Sequence, residues 1–271
     1  MSESRRHTLS VDGALLQVHD DGPAQGPCVV LTHSIMTDAR MWLPQLAALT
    51  SRGFRVLRPE SRGHGGSTLG ATPLSIDRLA LDVVQVMDAL GIVRSHYVGL
   101  SLGGMVGFAL GQQHASRLAS LVICDARADS PPAFAQPWDE RIAQAQAQGM
   151  TALVSSTLAR WFGDGLQRLE PQARADLEQA IASTSVEGFC ATARALQAFD
   201  YTEHLATMPP DTVLIVGGKD GVLPEVMTGL QRSMPQSKLE VIPGVGHLPN
   251  VEAPDAFNAV LLTALGACAP L

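Results

Sequence analysis

Short β-branched runs, each followed by a Gly-, Ser- or Asp-rich loop and then by a longer segment of helical period, recur along this chain. That alternation leaves very few architectures open. The runs CVVLTH (28–33), FRVLRP (54–59), SHYVGL (95–100), LASLVICD (118–125), DTVLIVGG (211–218) and KLEVIP (238–243) read as buried strands. Residues 39–50, 75–90, 102–115, 222–234 and 254–267 carry helix-type patterns. Strands alternating with helices require crossover connections, and so a parallel sheet with helices on both faces. Two opening runs, HTLSV (7–11) and ALLQVHD (14–20), flank Asp12-Gly13, a hairpin signal that predicts an antiparallel start.

The rhythm breaks between Ala126 and Met208. There the β-branched runs vanish and the text turns Ala/Gln/Leu-rich, punctuated by Pro131-Pro132, Gly163 and Pro171. An all-helical stretch of about 80 residues between two strands is too long for a loop. The expectation is a helical cap insertion over 126–208, set into an α/β core made of 1–125 and 209–271. Gly163, Gly165 and Gly188 offer hinges should the cap move.

Composition narrows the function classes. Of the 271 residues 46% are hydrophobic, which fits a folded chain with a sizeable core. Lys and Arg number 19 against 26 Asp and Glu, a net charge of −7, with no dense basic stretch to meet a phosphate backbone. No nucleic-acid partner is expected. The start, MSESRRHTLSVDG, has no apolar run of the secretory kind, and the apolar stretch Val98 to Gln113 is broken by glycines and shorter than the ~20 residues of a membrane span. A cytoplasmic protein without membrane contact is the default. Cys28, Cys124, Cys190 and Cys268 are far apart and form no CxxC pair, so they read as small buried hydrophobes rather than metal ligands or disulfides. Neither metal nor cofactor is expected.

The sharpest chemical signal is Gly99-Leu100-Ser101-Leu102-Gly103, a GxSxG that follows a strand-like run and opens a helix-like one. Such a turn holds the serine in a strained conformation with its hydroxyl exposed, and the glycines let strand and helix pass closely. A serine hydroxyl needs a base to take its proton, and the base needs a third group to fix its tautomer. In this architecture the chain order is Ser, acid, His. Asp220, in Gly217-Gly218-Lys219-Asp220, and His247, in Gly244-Val245-Gly246-His247, each stand just past a predicted strand, at the sheet edge where such groups converge. Asp125 also ends a strand and is a second candidate for the acid. His33 precedes the serine and His64 sits in a Gly-rich turn, so both read as structural. His7, His19, His96, His114 and His204 read as surface or core residues. Acyl transfer further needs preorganised amide donors for an oxyanion. The N–H of Leu102, beside the serine, and that of Ile35, in the loop after the 28–33 strand, are the candidates.

These residues resemble the α/β-hydrolase fold family over nearly the whole chain, in THSIMTDARMW (32–42), SRGHGGS (61–67), VGLSLGGMVG (98–107), GGKDGVLP (217–224) and GHLPNVEAPDAF (246–257). Within it the chain is most similar to the 3-oxoadipate enol-lactonases, through Thr37-Asp38, Met41-Trp42, Pro44-Gln45, Cys124, Trp138, Arg141-Ile142 and Ala159-Arg160-Trp161-Phe162. The resemblance implies a cofactor-free serine hydrolase of aromatic-acid catabolism, monomeric or weakly oligomeric, acting on a small lactone or ester. Three departures stand near its motifs and put the substrate in question: Met36 for a usual Gly, Glu60 for Asp, and Pro249 where Ser is common. They are expected near the mouth of the site.

Trp42, Phe134, Trp138, Trp161 and Leu248 are candidate apolar walls for a substrate, and Arg141 is the candidate to hold a substrate carboxylate. Rival readings are an esterase or lactonase for a neutral substrate, a C–C bond hydrolase or cofactor-free perhydrolase on the same three residues, and a non-catalytic small-molecule binding protein on the hydrolase fold.

Overall fold

The computed structural model describes residues 4–70 and 73–266; Cys268 lies outside the described residues. Eight strands form one sheet: β1 (Ser4–Val11), β2 (Ala14–Asp21), β3 (Cys28–Thr32), β4 (Arg55–Pro59), β5 (Ser95–Leu100), β6 (Leu118–Cys124), β7 (Val213–Gly217) and β8 (Lys238–Ile242). Their order is β1-β2-β4-β3-β5-β6-β7-β8. The β1–β2 and β2–β4 pairs are antiparallel and the rest parallel, as the alternating text and the Asp12-Gly13 turn required. β1 begins three residues before the apolar pattern does. Its extra turn of strand is polar and is held from the side by Arg5, which donates to Asp20 (3.0 Å) and to the Gly22 carbonyl (3.0 Å).

Helices α1 (Leu43–Thr50), α2 (Ile76–Ala89) and α3 (Leu102–Gln113) connect the first half of the sheet. The expected helix over 39–50 is split, because the Asp38 side chain accepts the Arg40 N–H (2.8 Å) and turns residues 39–42 into a 3-10 segment before Pro44 restarts the chain as α1. Between β6 and β7 run α4 (Pro132–Ala135), α5 (Pro137–Gln148), α6 (Val154–Phe162), α7 (Pro171–Ser183) and α8 (Val186–Leu196). α9 (Leu223–Ser233), α10 (Pro249–Glu252) and α11 (Pro254–Ala264) complete the described chain. None of the helices described is long and apolar enough to cross a membrane. Cys28, Cys124 and Cys190 are free and buried.

The order β4-β3-β5 matters for function. The chain leaves β3 in one direction and returns to its other side, so the crevice past the ends of β3 and β5 is the topological switch point of the sheet. Ile35 and Ser101 lie just beyond those two ends.

His33 and His64 sit beneath this crevice as neutral, fully buried rings with centroids 5.4 Å apart. His33 accepts the Ser61 N–H at Nε2 (2.9 Å) and donates from Nδ1 to the Ser34 carbonyl (2.7 Å). His64 donates from Nδ1 to the Arg62 carbonyl (3.0 Å), and burial, with the neighbouring His33, drives its pKa down to about 3. The unfolded chain takes up this proton near pH 6.5 and the fold refuses it, so stability falls as pH drops from about 6.5 toward 3. At pH 5 the cost is about 2 kcal/mol. His64→Asn, whose amide N–H reproduces the bond to Arg62, is expected to lose about 2 kcal/mol less than wild type between pH 7 and pH 5 in urea unfolding. Parallel losses in the two proteins would refute this.

Candidate active site

At the β5–α3 turn Ser101 adopts φ +56° and ψ −111°, in the left-handed half of the map that a residue with a Cβ enters only under strain. The packing imposes it. A Cβ on Gly99 would lie 2.0 Å from the Gly103 carbonyl oxygen, and one on Gly103 would lie 2.4 Å from that of Thr32, so strand and helix meet only where side chains are missing. The Ser101 N–H donates to Cys124 (2.9 Å) and Gly103 N–H to His33 (3.2 Å), tying the turn to both neighbouring strands. The Ser101 hydroxyl makes no hydrogen bond among the described residues and faces a cavity of about 190 Å³.

Asp220 and His247 line the same cavity. Asp220 follows β7 in a turn closed by its N–H on the Gly217 carbonyl (3.0 Å), and its Oδ2 accepts from His247 Nδ1 at 2.6 Å. His247 is also held by its backbone and its ring. Its N–H donates to the Trp161 carbonyl (2.7 Å), and the Trp161 indole stacks on the imidazole with centroids 6.2 Å apart. Glu252 accepts the preceding Gly246 N–H (2.8 Å) and pairs with Arg168 (2.7 Å). With Nδ1 committed to Asp220, Nε2 is the ring nitrogen that remains for proton transfer. Ser101 and His247 are not directly hydrogen-bonded among the described residues, and contacts of this type commonly tighten only in the complex with substrate.

Asp125 does not bond His247. It closes β6 with φ +44°, is 1% exposed, and its Oδ1 accepts the Gly217 N–H (2.8 Å). Ile35 lines the cavity, and neither its N–H nor that of Leu102, the first residue of α3, has a hydrogen-bond acceptor among the described residues. Both are the donor type an oxyanion needs.

The opposite wall comes from the helical insertion. Phe134, Trp138, Arg141 and Trp161 line the cavity as expected. Arg141 Nη2 donates to Thr157 Oγ1 (2.6 Å), and its guanidinium lies over the Trp138 ring, 5.8 Å from the centroid. Among the described residues no carboxylate pairs with it and its buried Nε has no partner, and burial, with Arg160 nearby, pulls its pKa down to about 10. Trp42 and Leu248 correct the sequence reading: both are fully buried away from the cavity. The 3-10 segment turns Trp42 inward against Phe257, 6.1 Å between centroids, and Leu248 is buried just ahead of α10. Of the three departures only Met36 reaches the cavity. Glu60 is buried under the 61–67 turn, where it accepts the Gly66 N–H (2.6 Å), and Pro249 is buried at the start of α10. His7 and His19, surface or core residues in the sequence reading, meet Asp20 (2.9 Å) and Glu60 (3.3 Å) across the sheet. Thr157 and Arg160 were missed, although with Trp161 they follow the i, i+3, i+4 spacing of one face of α6.

The sequence profile of the alpha/beta hydrolase family matches residues 29–260. The chain is 33% identical to 3-oxoadipate enol-lactonase 1 of Acinetobacter baylyi over 94% of its own length and 95% of that protein's. It is 31% identical to a Caulobacter protein described as a carbamate hydrolase, RutD, over 94% and 97% of the two chains. Among solved structures, the enol-lactonase of Burkholderia xenovorans superposes with a TM-score of 0.90 at 32% identity, covering 96% of this chain and all of that one.

Proposed function

Since the chain belongs to the alpha/beta hydrolase family, we propose that it is a serine hydrolase that opens a small anionic lactone or ester, with a 3-oxoadipate enol-lactone as the best candidate. His247, oriented by Asp220, removes the Ser101 proton as the hydroxyl oxygen attacks the ring carbonyl. The tetrahedral oxyanion is held by the N–H groups of Ile35 and Leu102. Collapse expels the enol oxygen, which takes the proton from His247 and tautomerises to the ketone. Water activated by His247 then cleaves the Ser101 acyl ester and frees the acid. The resemblance to enol-lactonases supports the reaction class.

The observation that carries the anionic substrate is Arg141: a half-buried guanidinium with no carboxylate partner among the described residues, lining the same cavity as Ser101. Such a group is costly to the fold, and a substrate carboxylate would complete it with charge-assisted bonds. The test compares wild type and Arg141→Met on 3-oxoadipate enol-lactone and on a neutral p-nitrophenyl ester. Wild-type turnover of the lactone is expected within the range of about 1–10³ s⁻¹. The variant should raise KM for the lactone by roughly 10–100-fold, the worth of a hydrogen bond to a charged group, and change the neutral ester by less than about threefold. Equal losses on both substrates would overturn the carboxylate role. Ester cleavage without lactone turnover would overturn the substrate and keep the mechanism.

A further inference from the structure

Asp125 is a buried carboxyl that the reaction above leaves unused. Its backbone is pinned by its N–H on the Ile215 carbonyl (2.9 Å), and its Oδ1 is taken by the Gly217 N–H. Oδ2 is sealed from water with no donor directed at it. One oxygen of each of the Asp125 and Asp220 carboxyls and a His247 ring nitrogen lie within 4.8 Å of one another. The charged neighbours do not neutralise Asp125. Arg127, two residues on, gives its guanidinium to Asp129 (2.8 Å), Arg141 gives its own to Thr157, and His247 Nδ1 is bonded to Asp220. Cys124, the other titratable group beside it, is a buried thiol whose pKa burial pushes up.

Two carboxylates this close, one of them shut off from water, cannot both ionise. Asp220 has the imidazole and partial access to solvent; Asp125 has neither. We propose that Asp125 is a positioning residue of the proposed triad, donating a hydrogen bond from a protonated Oδ2 to Asp220 and so holding that carboxylate in place for His247. The inference rests on the reading of Asp220 as the residue that orients the base. Burial and the Asp220 charge both hold the Asp125 pKa well above the ordinary carboxyl range, in keeping with it. The donated bond spreads the charge of Asp220 and weakens its hold on a protonated His247.

Two substitutions and one spectrum test this. In Asp125→Asn the amide oxygen can accept the Gly217 N–H and the amide N–H can donate to Asp220, so kcat/KM should stay within about threefold and the acid limb of the pH profile should not move. Asp125→Ala removes the donor. Its kcat should fall about tenfold or more, the worth of a hydrogen bond to a charged group, and the acid limb should move up by about one pH unit. Infrared spectra of resting wild type at pH 7 should contain a protonated-carboxyl C=O band that shifts in D₂O and is missing from Asp125→Asn. A purely structural residue would lower the melting temperature in the variants without moving the limb. Absence of the band, or an Asn variant as impaired as the Ala variant with an unmoved limb, overturns the proposal. The band is read without turnover, so its absence defeats the Asp125–Asp220 pair whatever Ser101 does. A band without Ser101-dependent hydrolysis defeats only the serine-hydrolase reading.

Discussion

Ser101→Ala is expected to lower kcat on an activated ester by roughly 10⁴–10⁶-fold without unfolding the protein. The first half of that expectation follows from the chemistry. In the proposed mechanism His247 activates the Ser101 hydroxyl, and both residues line one cavity. The second half follows from the structure: Ser101 Oγ makes no hydrogen bond among the described residues, so its removal orphans no partner. The backbone adds an internal control. At φ +56° alanine carries the same strain as serine and glycine does not. Ser101→Gly should therefore be equally inactive yet more stable than Ser101→Ala by about 1 kcal/mol, or roughly 2–4 °C in Tm for a chain of this size. Groups that act as one unit are also non-additive. Adding His247→Ala to Ser101→Ala should cost little beyond the single change. The measurements are p-nitrophenyl ester hydrolysis and thermal melts of the purified variants. A Ser101→Ala protein that retained more than about 1% of wild-type kcat would remove Ser101 from the mechanism.

The strands and the three candidate triad residues could be read from the text because each carries a local signature. A buried parallel strand is a β-branched run, and the groups that converge at its carboxyl end come within a few residues of that run. Ser101, Asp220 and His247 satisfy this, and the structure places them on one cavity. Trp42 and Leu248 were misread because no such rule says which way a side chain leaves a short turn. The Asp38 cap decides it for Trp42, and a cap on a 3-10 segment leaves no periodicity to follow. The extension of β1 was invisible for a similar reason, since residues 4–6 are polar and are held from the side by Asp20 and Gly22 rather than by apolar alternation. The Asp125–Asp220 contact lies deeper. It depends on β6 and β7 being sheet neighbours although the helical insertion separates them in sequence. Adjacency across an insertion is a property of sheet order, which no local pattern encodes. The text favoured the enol-lactone only through its resemblance and kept a neutral ester as the rival. An arginine on a helix has the same letter whether it meets solvent or, like Arg141, lines a cavity with no counter-charge among the described residues.

Gly246→Ala is expected to cost about 10²–10³-fold in kcat, the effect of misplacing a catalytic group by about 1 Å. A Cβ at Gly246 would stand 2.1 Å from the Trp161 carbonyl oxygen, and that carbonyl is the one that accepts the His247 N–H. The obstruction is main chain, so no side chain can swing aside, and the 246–247 segment must back away from α6. In doing so it gives up the N–H bond and the stacking of Trp161 on the imidazole, while the Ser101 turn, fixed by β5, β6 and α3, stays where it is. Trp161→Phe makes the counterpart. It keeps the carbonyl and an aromatic face, and should cost less than about tenfold. The pair separates backbone support from ring stacking. It also bears on whether the insertion opens as a lid: its α6 carries the carbonyl that positions His247, so lifting α6 would disassemble the site it covers. If Gly246→Ala turned over like wild type, His247 would owe nothing to α6, and the whole insertion would be free to move during catalysis. If it shows the expected loss, α6 must stay docked through turnover. Any gate then has to be sought at the exposed rim around Val222, 67% accessible at the edge of the cavity.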